Sequence, residues 1–470
     1  MIRINSAKDG FFYCLIYNAR LYYTMIPQLF KHQEDDIHFI NARKGVLNFS
    51  DAGTGKTRTT IEIIKRRKDE GRTLILCPKS IMYPAWGADL EKFAPELTFN
   101  LAYAEKRAEA FYKNSDIVIM NHDGVLWLDK ILAKTPVLNN FVQLVIDEST
   151  AYKNNCQRSN IVNKLKKYFK YRILMTGTPY TNSLTDIWRQ TLIADDGQRL
   201  GNSFFKFRDQ VCIGKQLGNG ITIWEDKPNM EPIIFHLLKD IVIRHKLEDC
   251  IDIPENNTQK ILFELNKKHF ITYIEMETNN LLQLKEGKIT AANAAILVNK
   301  LLQITSGAVY DEFGNYHLLD TDRYELIRDL AEARPQVLIA FCWRHQKDQL
   351  LKLLPQAKVI DGETSHKTRD QYIADFQNKK IPQLLIHPKS GAHGLTLTAG
   401  YATIWASPTY SSEEFQQFNR RIYRAGQTKK TETLLICAKN TIEDQVFQKL
   451  EGKLTRADNI LKLFDRNLNP

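Results

Sequence analysis

Short apolar runs alternate with longer stretches of helical periodicity in two parts of the chain. In the first part the runs are rich in β-branched residues and lie at 45–49, 73–77, 116–120, 144–146 and 172–175. In the second part they lie at 336–341, 357–360, 383–386, 402–405 and 433–436. Buried strands that alternate with helices indicate parallel sheets covered on both faces. The pattern therefore predicts an α/β protein with two parallel-sheet lobes.

The rest of the chain follows other patterns. Residues 191–320 mix loops with helical stretches, including a long one from about 268 to 303, and the first thirty residues are rich in Phe and Tyr. We therefore expect five regions. They are a β-rich N-terminal extension at 1–28, a first lobe at 29–195, a mostly helical linker or protrusion at 196–320, a second lobe at 321–440 and a helical C-terminal extension at 441–470.

Composition and charge indicate the kind of partner and the cellular compartment. The 470 residues include 65 Lys and Arg against 54 Asp and Glu, and the net charge of +11 favours a polyanionic partner, nucleic acid first. The seven cysteines form no Cys-x-x-Cys pair, so neither a disulfide framework nor a zinc site is indicated. Because no stretch has the length and apolarity of a secretion signal or a bilayer span, we expect a soluble cytoplasmic protein without membrane contact.

A glycine-rich segment follows the first apolar run. Residues 50–57 read Ser-Asp-Ala-Gly-Thr-Gly-Lys-Thr and precede a helix-like stretch, with Ser50 where the strict phosphate-loop pattern has glycine. In such a loop, Lys56 would reach the terminal phosphates of a nucleotide and the Thr57 hydroxyl would ligate Mg²⁺. The residues expected to hold the nucleotide are Gly53, Thr54, Gly55, Lys56 and Thr57.

Two carboxylates end the apolar strand at 141–148. Asp147 would hold the Mg²⁺ that bridges two phosphates of the nucleotide, and Glu148 would orient or deprotonate the attacking water. An acidic pair alone is often a solvated strand end, but a strand, a turn and a helix precede this pair in the required order. The two motifs together predict an ATP hydrolase that uses Mg²⁺.

Arginines recur three residues apart at 417–427, which we predict to be helical. Arg421 and Arg424 would then project from one face. A guanidinium suits the spread charge of a phosphoryl-transfer transition state, so both are candidate arginine fingers. The alternative is a basic, solvated helix face, and only the other motifs of the chain argue against it.

The motifs, in this order, resemble those of the Swi/Snf family of helicase superfamily two, in particular its compact phage-type members, over most of residues 30–450. The matching segments are 30–33, 50–57, 77–80 with Trp86, 147–150, 174–188, 243–246, 361–376, 390–397 and 417–427. The segment 174–188 is the most specific match. Thr150 replaces a frequent histidine and Arg420 a frequent glycine, and neither change removes a group that contacts phosphate.

The resemblance implies two RecA-like lobes with ATP between them, and an ATP-dependent DNA translocase or helicase. It implies action on duplex, forked or branched DNA in recombination, repair or replication, in the cytoplasm of a phage-infected bacterial host. Gln33 would read adenine, and Gly394 and Gln417 would complete the nucleotide site. The residues it places on DNA are Lys79, Ser80, Asn121, His122, Thr178, Thr364, Ser365, Ser390, Gly391, His393 and Thr396.

Two other functions stay open at this point. A nucleotide-gated clamp would hold branched DNA without travelling, although an intact Glu148 argues against it. An RNA-directed helicase or a kinase would share the phosphate loop, although the segment 181–188 resembles the DNA-directed branch. A packing role is the alternative for His393, and it is the preferred interpretation for Trp86, Trp188 and Trp343.

Overall fold

A computed structural model describes residues 26–180, 183–216, 222–286, 291–391, 395–409, 411–448 and 450. Most of the predicted N-terminal extension and most of the predicted C-terminal extension lie outside these residues. The chain divides into two compact units. The first unit comprises Met1–Asn48, Gly55–Met175 and Gln190–Gln198, and the second comprises Phe49–Thr54, Thr176–Arg189 and Arg199–Pro470. The predicted phosphate loop therefore contributes residues to both.

The first unit is built on a parallel sheet. Its strands are β1 (Gly45–Asn48), β2 (Arg72–Cys77), β3 (Phe99–Ala102), β4 (Ile117–Asn121), β5 (Phe141–Asp147) and β6 (Tyr171–Met175). They lie in the order β3-β4-β2-β5-β6-β1, and every pair of neighbours is parallel. All residues of β4 are buried, as are all but the first of β2. Continuous apolar strands of this kind need helices on both faces of the sheet.

Six helices of the first unit and a seventh at its boundary accompany these strands. They are α1 (Lys31–Asn41), α2 (Lys56–Arg66), α3 (Ala88–Phe93), α4 (Arg107–Tyr112), α5 (Gly124–Leu132), α6 (Gln157–Leu165) and α7 (Thr185–Asp195). Helix α2 buries Ile61, Ile63 and Ile64. After it, the buried Arg67 donates to the Gln143 side chain at 2.9 Å and to the Ile40 carbonyl at 2.9 Å. The end of α2 is thereby held against the sheet.

The strand register brings two predicted motifs to one level. Asn48, the last residue of β1, pairs with Met175 of β6, and Asp147, the last residue of β5, pairs with Met175 from the other side. Because neighbouring strands are about 4.8 Å apart, the start of the phosphate loop and Asp147 lie about 10 Å apart at the carboxyl edge of the sheet.

The strands of the second unit are β7 (Cys212–Gln216), β8 (Thr222–Asp226), β9 (Val242–Ile243), β10 (Asn256–Phe263), β11 (Ala308–Tyr310), β12 (Tyr316–Leu318), β13 (Val337–Ala340), β14 (Lys358–Ile360), β15 (Gln383–Ile386), β16 (Ala402–Trp405) and β17 (Thr431–Ala438). Six of them form another parallel sheet, in the order β10-β17-β16-β13-β15-β14. The pairs β7-β8 and β11-β12 are antiparallel hairpins, and β9 is a short strand of two residues.

Successive residues of the central strands of this sheet enter two different apolar clusters. Leu338 and Ala340 pack with Trp405 on one face, whereas Val337 and Ile339 pack on the other. This alternation is the two-residue period of a strand whose faces are both covered. The helices of the second unit are α8 (Phe204–Val211), α9 (Met230–Leu238), α10 (Leu247–Cys250), α11 (Lys267–Glu286), α12 (Ala291–Thr305), α13 (Asp322–Glu332), α14 (Arg344–Leu353), α15 (His366–Gln377), α16 (Pro388–Gly391) and α17 (Ser412–Asn419).

The predicted fold class, α/β with two RecA-like parallel-sheet lobes, is confirmed. The long helical pattern at about 268–303 corresponds to two helices, α11 and α12. Strand β10, which the sequence did not predict, pairs with β17. Its first five residues are polar, so its apolar run is limited to the last three, 261–263. Among the described residues, no helix combines the length and the apolarity that a bilayer span requires.

Candidate functional site

The glycines of the phosphate loop adopt backbone conformations that other residues rarely reach. Gly53 has φ of 92° and Gly55 has φ of 86°. Gly55 is also the N-cap of α2, and a Cβ atom at Gly55 would lie 2.0 Å from Nε2 of Gln33. Since left-handed backbone disfavours a side chain, both positions require glycine. The first backbone N–H groups of α2, which begins at Lys56, are thereby presented as an anion site.

Hydrogen bonds fix the earlier part of the loop. The Thr54 hydroxyl donates to the Asp51 carbonyl at 2.9 Å, and Thr54 is buried. Ser50, which departs from the strict pattern, accepts a hydrogen bond from the His245 backbone N–H on its hydroxyl at 3.1 Å. Ser50, Asp51 and Thr54 all belong to the second unit. Ser50 therefore has a structural role, because glycine has no side chain that could accept the hydrogen bond from His245.

Asp147 is held by two donors at the end of β5. The indole N–H of Trp86 donates to Oδ2 at 3.0 Å, and the backbone N–H of Glu148 donates to Oδ1 at 3.0 Å. Burial raises the pKa of Asp147, and the nearby Lys56 ammonium and the Trp86 and Glu148 donors, which favour the carboxylate, offset only part of that rise. The structure thus brings Lys56 and Asp147 into electrostatic contact within the first unit.

Glu148 itself has a left-handed backbone, with φ of 52° and ψ of 57°. Such a conformation costs about 1–3 kcal/mol for a residue other than glycine and is concentrated at functional sites. It turns the chain sharply after β5, so that Glu148 leaves the line of the strand. No sequence pattern predicted this strain.

Gln33 lies beside the phosphate loop in the first unit. Its side-chain carbonyl accepts a hydrogen bond from the Phe30 backbone N–H at 3.0 Å, and only 4% of the residue is exposed. The position of its Nε2 atom is the one that a Cβ at Gly55 would obstruct. Its predicted role in reading adenine stays a prediction.

The helix predicted for the arginine segment is wrong. Helix α17 ends at Asn419, and residues 420–426 form turns. The Arg421 carbonyl accepts a hydrogen bond from the Leu397 N–H at 3.0 Å, which removes it from a helical ladder. Even so, the Arg421 and Arg424 guanidinium groups both donate to the Leu395 carbonyl, at 3.2 and 3.0 Å. The turn therefore brings the two arginines together, as the predicted helix face would have done.

The remaining predicted nucleotide contacts are only partly within the described residues. Gln417 lies on α17, is 7% exposed and donates to Glu413 at 3.3 Å. Its buried Oε1 atom has no hydrogen-bond partner among the residues that the structure describes. Gly394 and the neighbouring His393 lie outside those residues.

The predicted DNA contacts of the first unit gather at the carboxyl edge of its sheet. Lys79 and Ser80 form a 3₁₀ turn directly after β2, and Asn121 ends β4, the neighbouring strand. His122 follows Asn121, and its Nδ1 atom lies 2.9 Å from the Tyr152 hydroxyl. Asn121 and His122 are both only 7% exposed.

The predicted DNA contacts of the second unit are more dispersed. Thr178 is buried, and its hydroxyl has no partner within the described part of the chain. The Thr364 hydroxyl accepts from the Asp361 N–H at 3.0 Å, and Ser365 caps α15 by accepting from the Thr368 N–H at 3.2 Å. These residues have local structural roles, and their DNA roles stay predictions.

The last three of these candidates lie around α16. Ser390 is partly exposed, and Thr396 is exposed. Gly391 is buried, and a Cβ atom there would lie 2.8 Å from Ile386 and 3.0 Å from Phe418. Close packing is therefore enough to explain the glycine at this position.

Three charged residues near the phosphate loop were not assigned a role from sequence. The Asp51 carboxylate forms ion pairs with Arg244 at 2.8 Å and with Arg420 at 3.0 Å. One signal was present in the sequence, because Arg420 was identified as a departure from the pattern that the family resemblance implies. Its partner could not be inferred, since Asp51 lies 369 positions earlier.

Known protein families match this arrangement of motifs. The sequence profile of the SNF2-related domain matches residues 32–308, and that of the helicase conserved C-terminal domain matches residues 322–426. The chain belongs to the SNF2-related family. The predicted resemblance is confirmed, and so is the class of enzyme, an ATP-dependent helicase family member.

Individual relatives extend over most of the chain. Protein p41 of Acyrthosiphon pisum secondary endosymbiont phage 1 is 28% identical over 473 residues, which cover 94% of this chain and 99% of p41. YwqA of Bacillus subtilis, a candidate ATP-dependent helicase/translocase, is 25% identical over 88% of this chain, which spans only 46% of YwqA. The solved SWI2/SNF2 ATPase core of Sulfolobus solfataricus in complex with dsDNA is 21% identical, with a TM-score of 0.43 and coverage of 93% of both chains.

Proposed function

We propose that the protein is a DNA-dependent ATPase that uses ATP hydrolysis to translocate on, and remodel, duplex or branched DNA. The observation that carries the proposal is the pairing of a phosphate loop with an acidic strand end. Both follow strands that flank β6 at one level, and the Lys56 ammonium acts on the Asp147 carboxylate. A basic phosphate ligand and an acidic metal ligand are the two halves of a nucleotide hydrolase.

The residues present also suit Mg²⁺. Thr57 is the second residue of α2, and the Asp147 carboxylate keeps acceptor capacity after its two hydrogen bonds, since each oxygen has a second lone pair. We propose that these two residues hold the ion. When bound, Mg²⁺ would neutralise charge on the phosphate oxygens.

The proposed hydrolysis step assigns a role to each remaining residue. Glu148 orients a water molecule and accepts its proton as the oxygen bonds to the γ-phosphorus, while the bond from that phosphorus to the bridging oxygen of ADP breaks. Lys56 and the paired Arg421 and Arg424 stabilise the charge that develops on the phosphate oxygens. The left-handed backbone of Glu148 supports this role, since it turns the residue out of the strand.

DNA is the proposed partner for two reasons. The chain carries a net charge of +11, and polar candidates collect in the loops after β2 and β4 of the first unit. Hydroxyls, amides and cations of this kind bind phosphate without reading sequence. Affinity should therefore fall steeply as salt increases, because each neutralised phosphate releases counterions.

The biological setting is a finer proposal. Alignment with a phage protein over nearly its whole length supports action in the cytoplasm of a phage-infected bacterium. Within that setting we propose remodelling of forks or junctions in recombination, repair or replication. A motor that acts on branched DNA would serve any of these processes.

One experiment tests the activity and its substrate together. ATP turnover is measured with single-stranded, duplex, forked and four-way-junction DNA and with RNA, and the branched substrates are followed for strand displacement or branch migration. We expect stimulation by duplex or branched DNA and movement of at least one branched substrate. Equal turnover with every DNA and no movement would indicate a clamp, whereas preference for RNA would indicate an RNA helicase.

Variants of the first unit connect this activity to the site. Lys56→Ala and Glu148→Gln should abolish stimulated turnover while the protein stays folded. Lys65→Ala is a matched control, because Lys65 lies on the same helix and forms ion pairs with Glu62 and Glu96 away from the loop. Phosphate release at the wild-type rate by either site variant would refute the assignment.

A further inference from the structure

We propose that Arg420 and Asp51 form a positioning pair that fixes the turn carrying Arg421 and Arg424 against the phosphate loop. The inference rests on the proposed function and adds a residue to it. Arg420 is the C-cap of α17, directly before Arg421. Its Nη2 atom lies 3.0 Å from Oδ2 of Asp51, the second residue of the phosphate motif. Both residues belong to the second unit.

The Asp51 carboxylate is fully engaged in this contact. Oδ1 pairs with the Arg244 guanidinium at 2.8 Å, and Oδ2 accepts from the Leu247 backbone N–H at 3.3 Å as well as from Arg420. The Asp51 side chain is 12% exposed. A carboxylate with a donor on each oxygen has little rotational freedom, so Arg420 meets an acceptor that is already fixed in place.

The two arginines of this network differ in what they require. Arg244 is 1% exposed, and its Nε and Nη2 atoms have no hydrogen-bond partner among the described residues. It depends on Asp51 for compensation of its charge. Arg420 is 24% exposed and has a second carboxylate, Glu248, at 2.9 Å. Removing Asp51 would leave Arg244 buried and uncompensated, whereas removing the Arg420 charge leaves the Asp51–Arg244 pair in place.

A second contact links the same turn to the same loop. A Cβ atom at Gly53 would lie 3.2 Å from Cβ of Arg424. The turn therefore approaches the loop at two points, through the charge of Arg420 and through the backbone around Arg424. With one point removed, the guanidinium groups of Arg421 and Arg424 can shift relative to the loop.

This geometry predicts an effect on rate rather than on stability. The Arg420 and Asp51 side chains are only 24% and 12% exposed, but Asp51 keeps the Arg244 guanidinium when the Arg420 charge is removed, so no buried charge is left unpaired. Positioning is different, because a displacement of about 1 Å can lower a rate by about 100-fold. Loss of the Arg420 charge should therefore lower kcat and leave the fold intact.

The test compares Arg420→Gln with Glu248→Gln in the full chain, with ATP turnover measured at saturating duplex DNA. Arg420→Gln removes both ion pairs of the guanidinium, whereas Glu248→Gln removes only the one that does not involve the loop. We expect kcat to fall by about 10- to 100-fold in Arg420→Gln, with KM for ATP and the melting temperature nearly unchanged. Glu248→Gln should behave like wild type, and Arg420→Lys should recover part of the loss.

Three results would overturn the inference. They are a wild-type kcat in Arg420→Gln, an equal loss in Glu248→Gln, and a rate loss that is explained by a lower melting temperature. A double variant, Asp51→Asn with Arg420→Gln, adds a further check. If the two residues act as one pair, its loss of kcat should be smaller than the combined losses of the two single variants. Absence of ATP turnover in the wild-type protein would instead refute the proposed function itself.

Discussion

The two parallel sheets of this protein are alike in architecture and different in the groups around them. Both bury apolar residues on two faces. Around the carboxyl edge of the first sheet lie a lysine and two acids, Lys56, Asp147 and Glu148. The predicted site residues of the second unit are instead two arginines, Arg421 and Arg424, which lie in a turn after a helix. The architecture that the two sheets share therefore does not determine which reaction either one supports. That depends on the residues in the loops.

A second contrast lies in how each charged group is supported. Asp147 is held by an indole and a backbone N–H within the first unit. The arginines of the second unit share one carbonyl, that of Leu395, and follow Arg420 with its ion pairs. We infer that the Asp147 carboxylate is fixed by contacts within the first unit, whereas the positions of Arg421 and Arg424 depend on the turn that carries them.

The largest expected effect tests whether the second unit contributes to chemistry at all. Arg424→Ala removes a planar cation but no proposed ligand of Mg²⁺. ATP binding should be nearly normal, and kcat should fall by about 10³- to 10⁵-fold, the range found for arginine fingers. Measurement of nucleotide affinity and single-turnover hydrolysis separates the two quantities.

The matched control for this change is Lys430→Ala. Lys430 is an exposed cation a few residues after the turn, and its removal should leave hydrolysis unchanged. If Arg424→Ala alters DNA affinity alone, Arg424 does not belong to the active site, and the contrast between the acids of the first unit and the arginines of the second has no catalytic basis.

Local patterns were sufficient to predict much of this contrast. Predicted strands at 383–386 and 402–405 match β15 and β16 at both ends. Both are short, fully buried runs, which the local sequence pattern indicates directly. The glycines of the phosphate loop were likewise predicted, and their positive φ values give the physical reason. The roles assigned to the site residues stay predictions.

Contacts between distant parts of the chain could not be predicted. The turn at 420–426 forms because Leu397 binds the Arg421 carbonyl, and β10 forms because β17 offers it an edge. The Asp51–Arg420 ion pair spans 369 positions. In each case tertiary contacts outweigh the local preference of the sequence.

A smaller effect should separate stability from chemistry within the second unit. Arg323 and Glu443 form a buried ion pair at 2.7 Å, with side chains 3% and 0% exposed. Glu443→Gln would leave the guanidinium uncompensated, which typically costs about 3–5 kcal/mol. Urea unfolding should show this loss, while kcat per folded molecule stays at the wild-type value.

The control for this change is a pair near the surface of the same region. Lys260 and Asp444 lie 2.7 Å apart with side chains 24% and 38% exposed, so Asp444→Asn should cost less than about 1 kcal/mol. Equal losses of unfolding free energy in Glu443→Gln and Asp444→Asn would contradict the distinction between a buried and a more exposed ion pair. A fall in kcat for Glu443→Gln under conditions where it is folded would connect this ion pair to catalysis.

The smallest expected effect concerns pH. His345 is fully buried in the second unit, where its two ring nitrogens contact the Ser306 and Tyr310 hydroxyls, each at 2.9 Å. Burial lowers the pKa of His345 to about 4 from 6.5. The charged or titratable groups around it are Tyr310, Tyr316, Tyr324, Arg323 and Asp348.

Because the pKa of His345 is lower in the folded protein than in the unfolded chain, the unfolded chain binds the extra proton between pH 6.5 and 4. Its contribution to stability is therefore present above pH 6.5 and is lost as the pH falls toward 4, by about 1.4 kcal/mol per pH unit and about 3 kcal/mol in all. Urea unfolding at pH 7, 6 and 5 should show a shallower loss in His345→Gln than in wild type. His366→Gln, an exposed control at the start of α15, should keep the wild-type slope. If both variants keep that slope, His345 does not couple the fold of the second unit to pH, and other titratable groups account for the acid sensitivity of the protein.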